Sequence, residues 1–156
     1  MQIGVRKERE EEMQPYIHKV QYYETDKMGI THHSNYVRWM EEARIDFFSQ
    51  MGYGYDVMEQ EGIISPVLGV ECKYQHTTTF ADEVEIEVLV KEFNGVRLVL
   101  EYRMKKYGED KTVFTGGSQH CFLDKEFKPI RMKKNYPEIY QLFTAEAEKY
   151  DSTQRK

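Results

Sequence analysis

Asn94-Gly95 joins two stretches that alternate apolar and polar residues, and that combination commits the middle of the chain to an antiparallel hairpin. In Glu83 to Phe93, Val84, Ile86, Val88 and Val90 alternate with Glu85, Glu87 and Lys91. In Val96 to Met104, Val96, Leu98, Leu100 and Tyr102 alternate with Arg97, Glu101 and Arg103. A period of two places each apolar set on one face of a strand. Asn-Gly supplies the left-handed backbone that a two-residue hairpin turn requires.

A sheet with one apolar face must bury it, and the chain offers one long helix to do so. The spacing predicts that helix from about His33 to Met51, ended by Gly52. Tyr36, Met40, Ala43, Phe47 and Met51 form its stripe, and Val37, Trp39 and Phe48 widen it. A stripe that wide predicts a helix touched by protein on most sides. Other elements follow from pattern. Tyr16 to Glu24 reads as a strand, Tyr55 to Glu61 as a short helix before Gly62, and Val67 to Gln75 and Thr112 to Leu123 as strands. Gly116-Gly117 inside the last strand predicts a bulge or a close backbone approach. A final amphipathic helix runs from about Pro137 to Lys149. The layout is α+β: an antiparallel five-stranded sheet wrapped around a long central helix, with a C-terminal helix.

The 156 residues suit one domain, expected over 15–150, with a charged flexible tail at 1–14 and a short tail at 151–156. No apolar run reaches the roughly 18 residues of a membrane span. Cys72 and Cys121 lack metal-ligand spacing and read as free thiols of a cytoplasmic protein. A net charge of −5 gives no support to nucleic-acid binding.

Chemistry concentrates in Val20 to Arg44. Asp26 lies seven residues before His33, at the seam of strand and helix. A helix start presents free N–H groups and a positive dipole end, suited to an oxyanion. A carboxylate beside it attacks a carbonyl or activates water, and Gly29 permits close backbone approach. By residue type alone, Asp26 reads first as a turn or capping residue, and His32-His33 as a helix-start pair. Glu41 and Arg44 are spaced for an ion pair. His18, His76 and His120 have no partner visible in the sequence.

Tyr22, Tyr23, Glu24, Thr25 and Asp26, then Gly29, His33, Asn35 and Tyr36, then Glu41, Ala43 and Arg44, resemble the hotdog-fold thioesterases of the 4-hydroxybenzoyl-CoA thioesterase family. They resemble the kind whose acid precedes the central helix. Cys121-Phe122-Leu123-Asp124 followed by Pro129 extends the likeness, which covers about Tyr16 to Tyr140. The resemblance implies hydrolysis of an acyl-CoA or acyl-carrier-protein thioester, and by contrast a non-catalytic acyl-CoA-binding role if the acid is idle. It implies Asp26 as nucleophile or general base, the His33 amide as oxyanion donor and the His33 side chain as a positioning group. Tyr23, Gly29, Ile30, Thr31, His32 and Asn35, with Lys91 and Arg97, are the implied substrate contacts. Arg131, Lys133 and Lys134 are further candidates for the CoA phosphates. No metal or cofactor is implied beyond the CoA of the substrate, and a homodimer or homotetramer is.

Overall fold

The computed structural model describes residues 13–154, with side chains as far as Tyr150. Strand β1 (Tyr16–Lys19) leads through a 3-10 turn (Tyr22–Glu24) and a loop to helix α1 (Asn35–Gln50) and helix α2 (Tyr55–Glu61). Strands β2 (Val67–Tyr74), β3 (Glu83–Phe93), β4 (Arg97–Lys106) and β5 (Thr112–Cys121) follow, then α3 (Met132–Asn135) and α4 (Pro137–Gln154). The strands form one antiparallel sheet in the order β1-β3-β4-β5-β2. No helix among the described residues is long and apolar enough to cross a membrane.

The period-two pattern decides which face is buried. On β4, Leu98, Leu100, Tyr102 and Met104 are buried, and Arg97, Glu101 and Arg103 lie on the other face. Val84, Ile86 and Val90 of β3 and Val113 and Phe114 of β5 join them. Against this face α1 packs Tyr36, Trp39, Met40, Ala43, Phe47 and Phe48. At roughly 1.5 to 3 kcal/mol for each large apolar side chain removed from water, this helix face contributes substantially to folding stability.

Several boundaries differ from the sequence pattern for local reasons. The first strand stops at Lys19 because the Glu24 carboxylate turns back to accept the Gln21 N–H and coils Tyr22–Glu24 into a 3-10 turn. Helix α1 starts at Asn35, not His33, because the Asn35 and Tyr36 amides first close turns onto the His32 and His33 carbonyls. Val96 belongs to the hairpin turn: its N–H and that of Arg97 donate to the Asn94 side chain, and Gly95 has φ of 91°. The expected tail of residues 1–14 lies outside the described residues up to Glu12. Met13 packs on the core and the Gln14 N–H donates to Gln50. Helix α4 continues through Gln154, so most of the expected C-terminal tail is helical, and residues 155–156 lie outside the described part.

Arg44 departs most from expectation. It does not pair with Glu41, which stays exposed on the outer side of α1. Arg44 is 6 % exposed and donates from Nε to the Tyr55 hydroxyl and from Nη1 to the Tyr102 hydroxyl, both at 3.0 Å. Tyr102 reaches Ser118 at 2.6 Å, and Ser118 reaches His120 Nε2 at 2.7 Å. Burial, then the nearby Arg44 charge, push His120 down to about 4, so it is a neutral member of this chain at pH 7. The cation is thus held by hydroxyl dipoles that tie α1 and α2 to the middle of the sheet.

Gly116 is a close approach, not a bulge. The ladder runs through it without a shift, opposite Cys72 and Tyr102. A Cβ there would lie 2.7 Å from the Phe114 ring, 2.9 Å from the Glu71 carbonyl oxygen and 2.9 Å from Met40 Sδ. Gly116→Ala is expected to lower stability by about 2 kcal/mol by overpacking. Gly69→Ala, whose Cβ would meet only the Gln119 side chain at 3.8 Å, is expected to be tolerated. Urea unfolding midpoints of the two variants check this.

Candidate active site

The loop between β1 and α1 is built around Glu24, which is 5 % exposed. One carboxylate oxygen accepts the Gln21 N–H at 2.8 Å and faces His18 Nε2 at 2.9 Å. The other accepts the Trp39 indole N–H at 2.9 Å. Burial pushes this carboxyl up, but the Gln21, His18 and Trp39 donors outweigh it and leave it below the ordinary glutamate value. His18, without a visible partner in sequence, bridges Glu24 and, through Nδ1, Glu42 at 3.0 Å.

Past Glu24 the backbone makes a tight hairpin. The Glu24 carbonyl accepts the His32 N–H at 2.8 Å, and Thr25 bridges Thr31. At the tip, the Asp26 N–H donates to the Ile30 carbonyl and the Gly29 N–H returns to the Asp26 carbonyl. Asp26 Oδ1 accepts the Met28 N–H at 2.8 Å. Gly29 has φ of 82°, where a Cβ would be strained even in open space. Asp26 is therefore a turn residue by its backbone, and its partly exposed carboxylate is fixed in direction by that turn.

The expected site residues separate into four places. Asp26, Tyr23, His32 and Asn35 line one open groove together with Tyr22, Thr25, Lys27, Ser34 and Arg38. Gly29, Ile30 and Thr31 anchor that groove to the β2–β3 loop. Thr79 Oγ1 donates to the Gly29 carbonyl, Ile30 bridges Thr79, and the Thr31 hydroxyl lies 2.6 Å from that of Thr78. The His33 ring packs on His32 at 4.3 Å and edges toward Tyr74, whose hydroxyl donates to the His33 carbonyl. Among the described residues the His33 N–H meets no acceptor. Lys91 and Arg97 lie elsewhere, on the β3–β4 hairpin. The groove sits by the start of β3, and eight residues of strand put Lys91 about 26 Å away within one chain.

Pattern reading missed Lys27, Ser34 and Arg38. Arg38 was legible in principle, because it stands one helical turn after Ser34 and therefore on the same side of α1. No basic side chain among the described residues pairs with Asp26. The loop thus brings a carboxylate and two cations to one open groove, with the free His33 amide next in sequence to the groove residues His32 and Ser34. Such a set can bind an anionic ligand and attack or hydrate a carbonyl.

The thioesterase-like superfamily model matches residues 20–141. The chain belongs to that superfamily. A Bacillus subtilis (strain 168) relative named "Putative acyl-CoA thioesterase YneP" is 30 % identical over 125 residues, which cover 80 % of this chain and 91 % of the relative. The crystal structure of a DHNA-CoA thioesterase from Staphylococcus aureus superposes with a TM-score of 0.81 at 28 % identity, covering 92 % of this chain and 95 % of that one. A 1,4-dihydroxy-2-naphthoyl-CoA thioesterase from Synechocystis shares the fold at 12 % identity, with a TM-score of 0.75 and coverage of 84 % and 95 %. The fold is the hotdog fold: a five-stranded antiparallel sheet wrapped around one helix.

Asn35 connects helix and loop. Its side-chain amide donates to the Glu24 carbonyl at 2.9 Å and to the His32 carbonyl at 3.1 Å. Asn35→Ala leaves two carbonyls short of a donor. It is expected to cost about 1 to 2 kcal/mol and to lower kcat about tenfold through a displaced Asp26 loop, with KM little changed. Steady-state kinetics and thermal unfolding of the variant measure both.

Proposed function

We propose that this thioester hydrolase acts on acyl-CoA, with Asp26 as the catalytic carboxylate and the amide of His33 as the oxyanion donor. The observation that carries the reading is the Asp26 turn, which fixes a carboxylate in an open groove at the entrance to α1. A thioester carbonyl is electrophilic and its thiolate leaves readily, so a positioned carboxylate and one or two backbone donors form a sufficient set. As nucleophile, Asp26 would attack the carbonyl carbon and break the C–S bond, releasing the CoA thiolate and leaving a mixed anhydride that water then opens to the free acid and the Asp26 carboxylate. As base, it would take a proton from the attacking water while the thiolate departs. The motif from Tyr22 to Arg44 supports the 4-hydroxybenzoyl-CoA thioesterase type with the acid before the helix, and the relatives named for an acyl-CoA or a CoA ester support acyl-CoA as the substrate class. The carrier-protein thioester is the second reading, favoured by the cations Lys27 and Arg38 beside the acid.

The site is open on one side, and the sheet ends at β2. Val67, Leu68, Val70 and Tyr74 of β2 are exposed, and among the described residues nothing pairs with its outer edge. An apolar free edge is a template for another strand. This supports a homo-oligomer in which a second copy closes the groove.

A panel of acyl-CoA and acyl-carrier-protein thioesters, read by free thiol release, tests the activity and the carrier together. Asp26→Asn is expected to lower kcat/KM on the best substrate about a thousandfold while the unfolding midpoint stays near that of the parent. Near-full activity of Asp26→Asn would remove Asp26 from the mechanism, and no turnover on any thioester would favour a binding role.

A further inference from the structure

Two turns of this chain share three hydrogen bonds and differ in the residue at their left-handed position. Asp26 Oδ1 accepts the Met28 N–H, and Asp124 Oδ1 accepts the Glu126 N–H. The Gly29 N–H returns to the Asp26 carbonyl, and the Phe127 N–H returns to the Asp124 carbonyl. The Asp26 N–H closes on Ile30, and the Asp124 N–H on Lys128. The third residue after each Asp is left-handed: Gly29 at φ of 82° and Phe127 at φ of 64°. Glycine adopts that backbone freely, and a bulky side chain does so only under strain. Phe127 gains nothing inside the chain in return, since it is 70 % exposed. Strain held at an exposed aromatic points to a role outside the chain.

The surroundings indicate the sign of the partner. Residues 125–134 hold Lys125, Lys128, Arg131, Lys133 and Lys134 and one carboxylate, Glu126, in a chain of net charge −5. All five cations are exposed, and among the described residues none forms an ion pair. The Asp124 carboxylate is occupied by the Glu126 and Lys128 amides. The Met132 N–H donates to the Gly95 carbonyl, which ties this segment to the hairpin that carries Lys91 and Arg97. Arg97 contacts Glu92 at 3.9 Å. One pole of an acidic protein is therefore basic, with an aromatic ring at the apex of a protruding turn.

We propose that this tip docks the enzyme on an anionic lipid surface, with the Phe127 ring entering the headgroup layer and Lys125, Lys128, Arg131, Lys133 and Lys134 facing the headgroup anions. An exposed ring on a turn whose flanking segment carries five exposed cations suits a soft, planar, negatively charged surface, which supplies apolar depth and phosphate together. An acidic protein would need a matching pocket for the ring. The proposal goes beyond the catalytic reading and stands apart from it, because the tip belongs to the pole opposite the Asp26 groove.

Co-sedimentation of the full chain with vesicles tests it, using phosphatidylcholine alone and phosphatidylcholine mixed with phosphatidylserine. The chain is expected on the mixed vesicles and not on the neutral ones, with binding weakened by salt. Phe127→Gly is expected to lower binding about tenfold while raising the unfolding midpoint, since it relieves the turn. Lys125→Gln with Lys128→Gln is expected to lower it about 25-fold. Both variants should hydrolyse a short, soluble acyl-CoA like the parent, which separates this test from that of the activity. Absence of binding to the mixed vesicles, or unchanged binding by Phe127→Gly, overturns the proposal. So does Phe127-dependent capture by immobilised polyglutamate without vesicle binding, which would assign the tip to an acidic protein.

Discussion

Glu24 buries a negative charge where the first strand, the Asp26 loop and the central helix meet. Its three donors come from three different parts of the chain: the turn at Gln21, the strand at His18 and the helix at Trp39. An ion in that position is costly unless every lone pair is engaged, so the three elements are held in one arrangement or the charge is left exposed to an apolar core. The backbone of the same residue accepts the His32 N–H and the Asn35 side chain. Glu24 therefore fixes both where α1 begins and where the Asp26 hairpin leaves the sheet. The position of the acid follows from a residue that never touches the groove.

Two Asp-centred turns show how local rules and function separate. At Asp26 the left-handed position is filled by glycine and the turn is relaxed, which suits a loop whose direction must be reproducible. At Asp124 the same position is filled by an exposed phenylalanine, and the local rule is broken. Violations of this kind gather where a chain meets something else.

Much of the architecture was legible because period two and period 3.6 are direct consequences of burial. The buried set of β4, the stripe of α1 and the Tyr55–Glu61 helix followed from spacing alone. What spacing did not show was tertiary in origin. Glu41 and Arg44 have ion-pair spacing, yet Arg44 turns inward because the hydroxyls of Tyr55 and Tyr102, far apart in sequence, await it. The bulge between Val90 and Glu92 shifts the strand phase and sends Phe93 inward against Phe122 and Phe143. In the site, the motif located Asp26, and its turn geometry was readable from the Asp-x-x-Gly spacing. The pairing of His18 with Glu24, and the placement of Arg38 and Lys27 beside the acid, depended on how the loop folds back on α1.

One buried carboxylate, that of Glu24, holds the corner that presents Asp26. Amide hydrogen exchange of Glu24→Gln measures it most directly, because a glutamine must turn an NH2 toward one of the three donors. Exchange at the Asp26, Gly29 and His32 amides is expected to accelerate about tenfold or more, with the β3–β4 amides keeping their protection. Unchanged exchange at those three amides, or a uniform loss across every strand, would contradict the account.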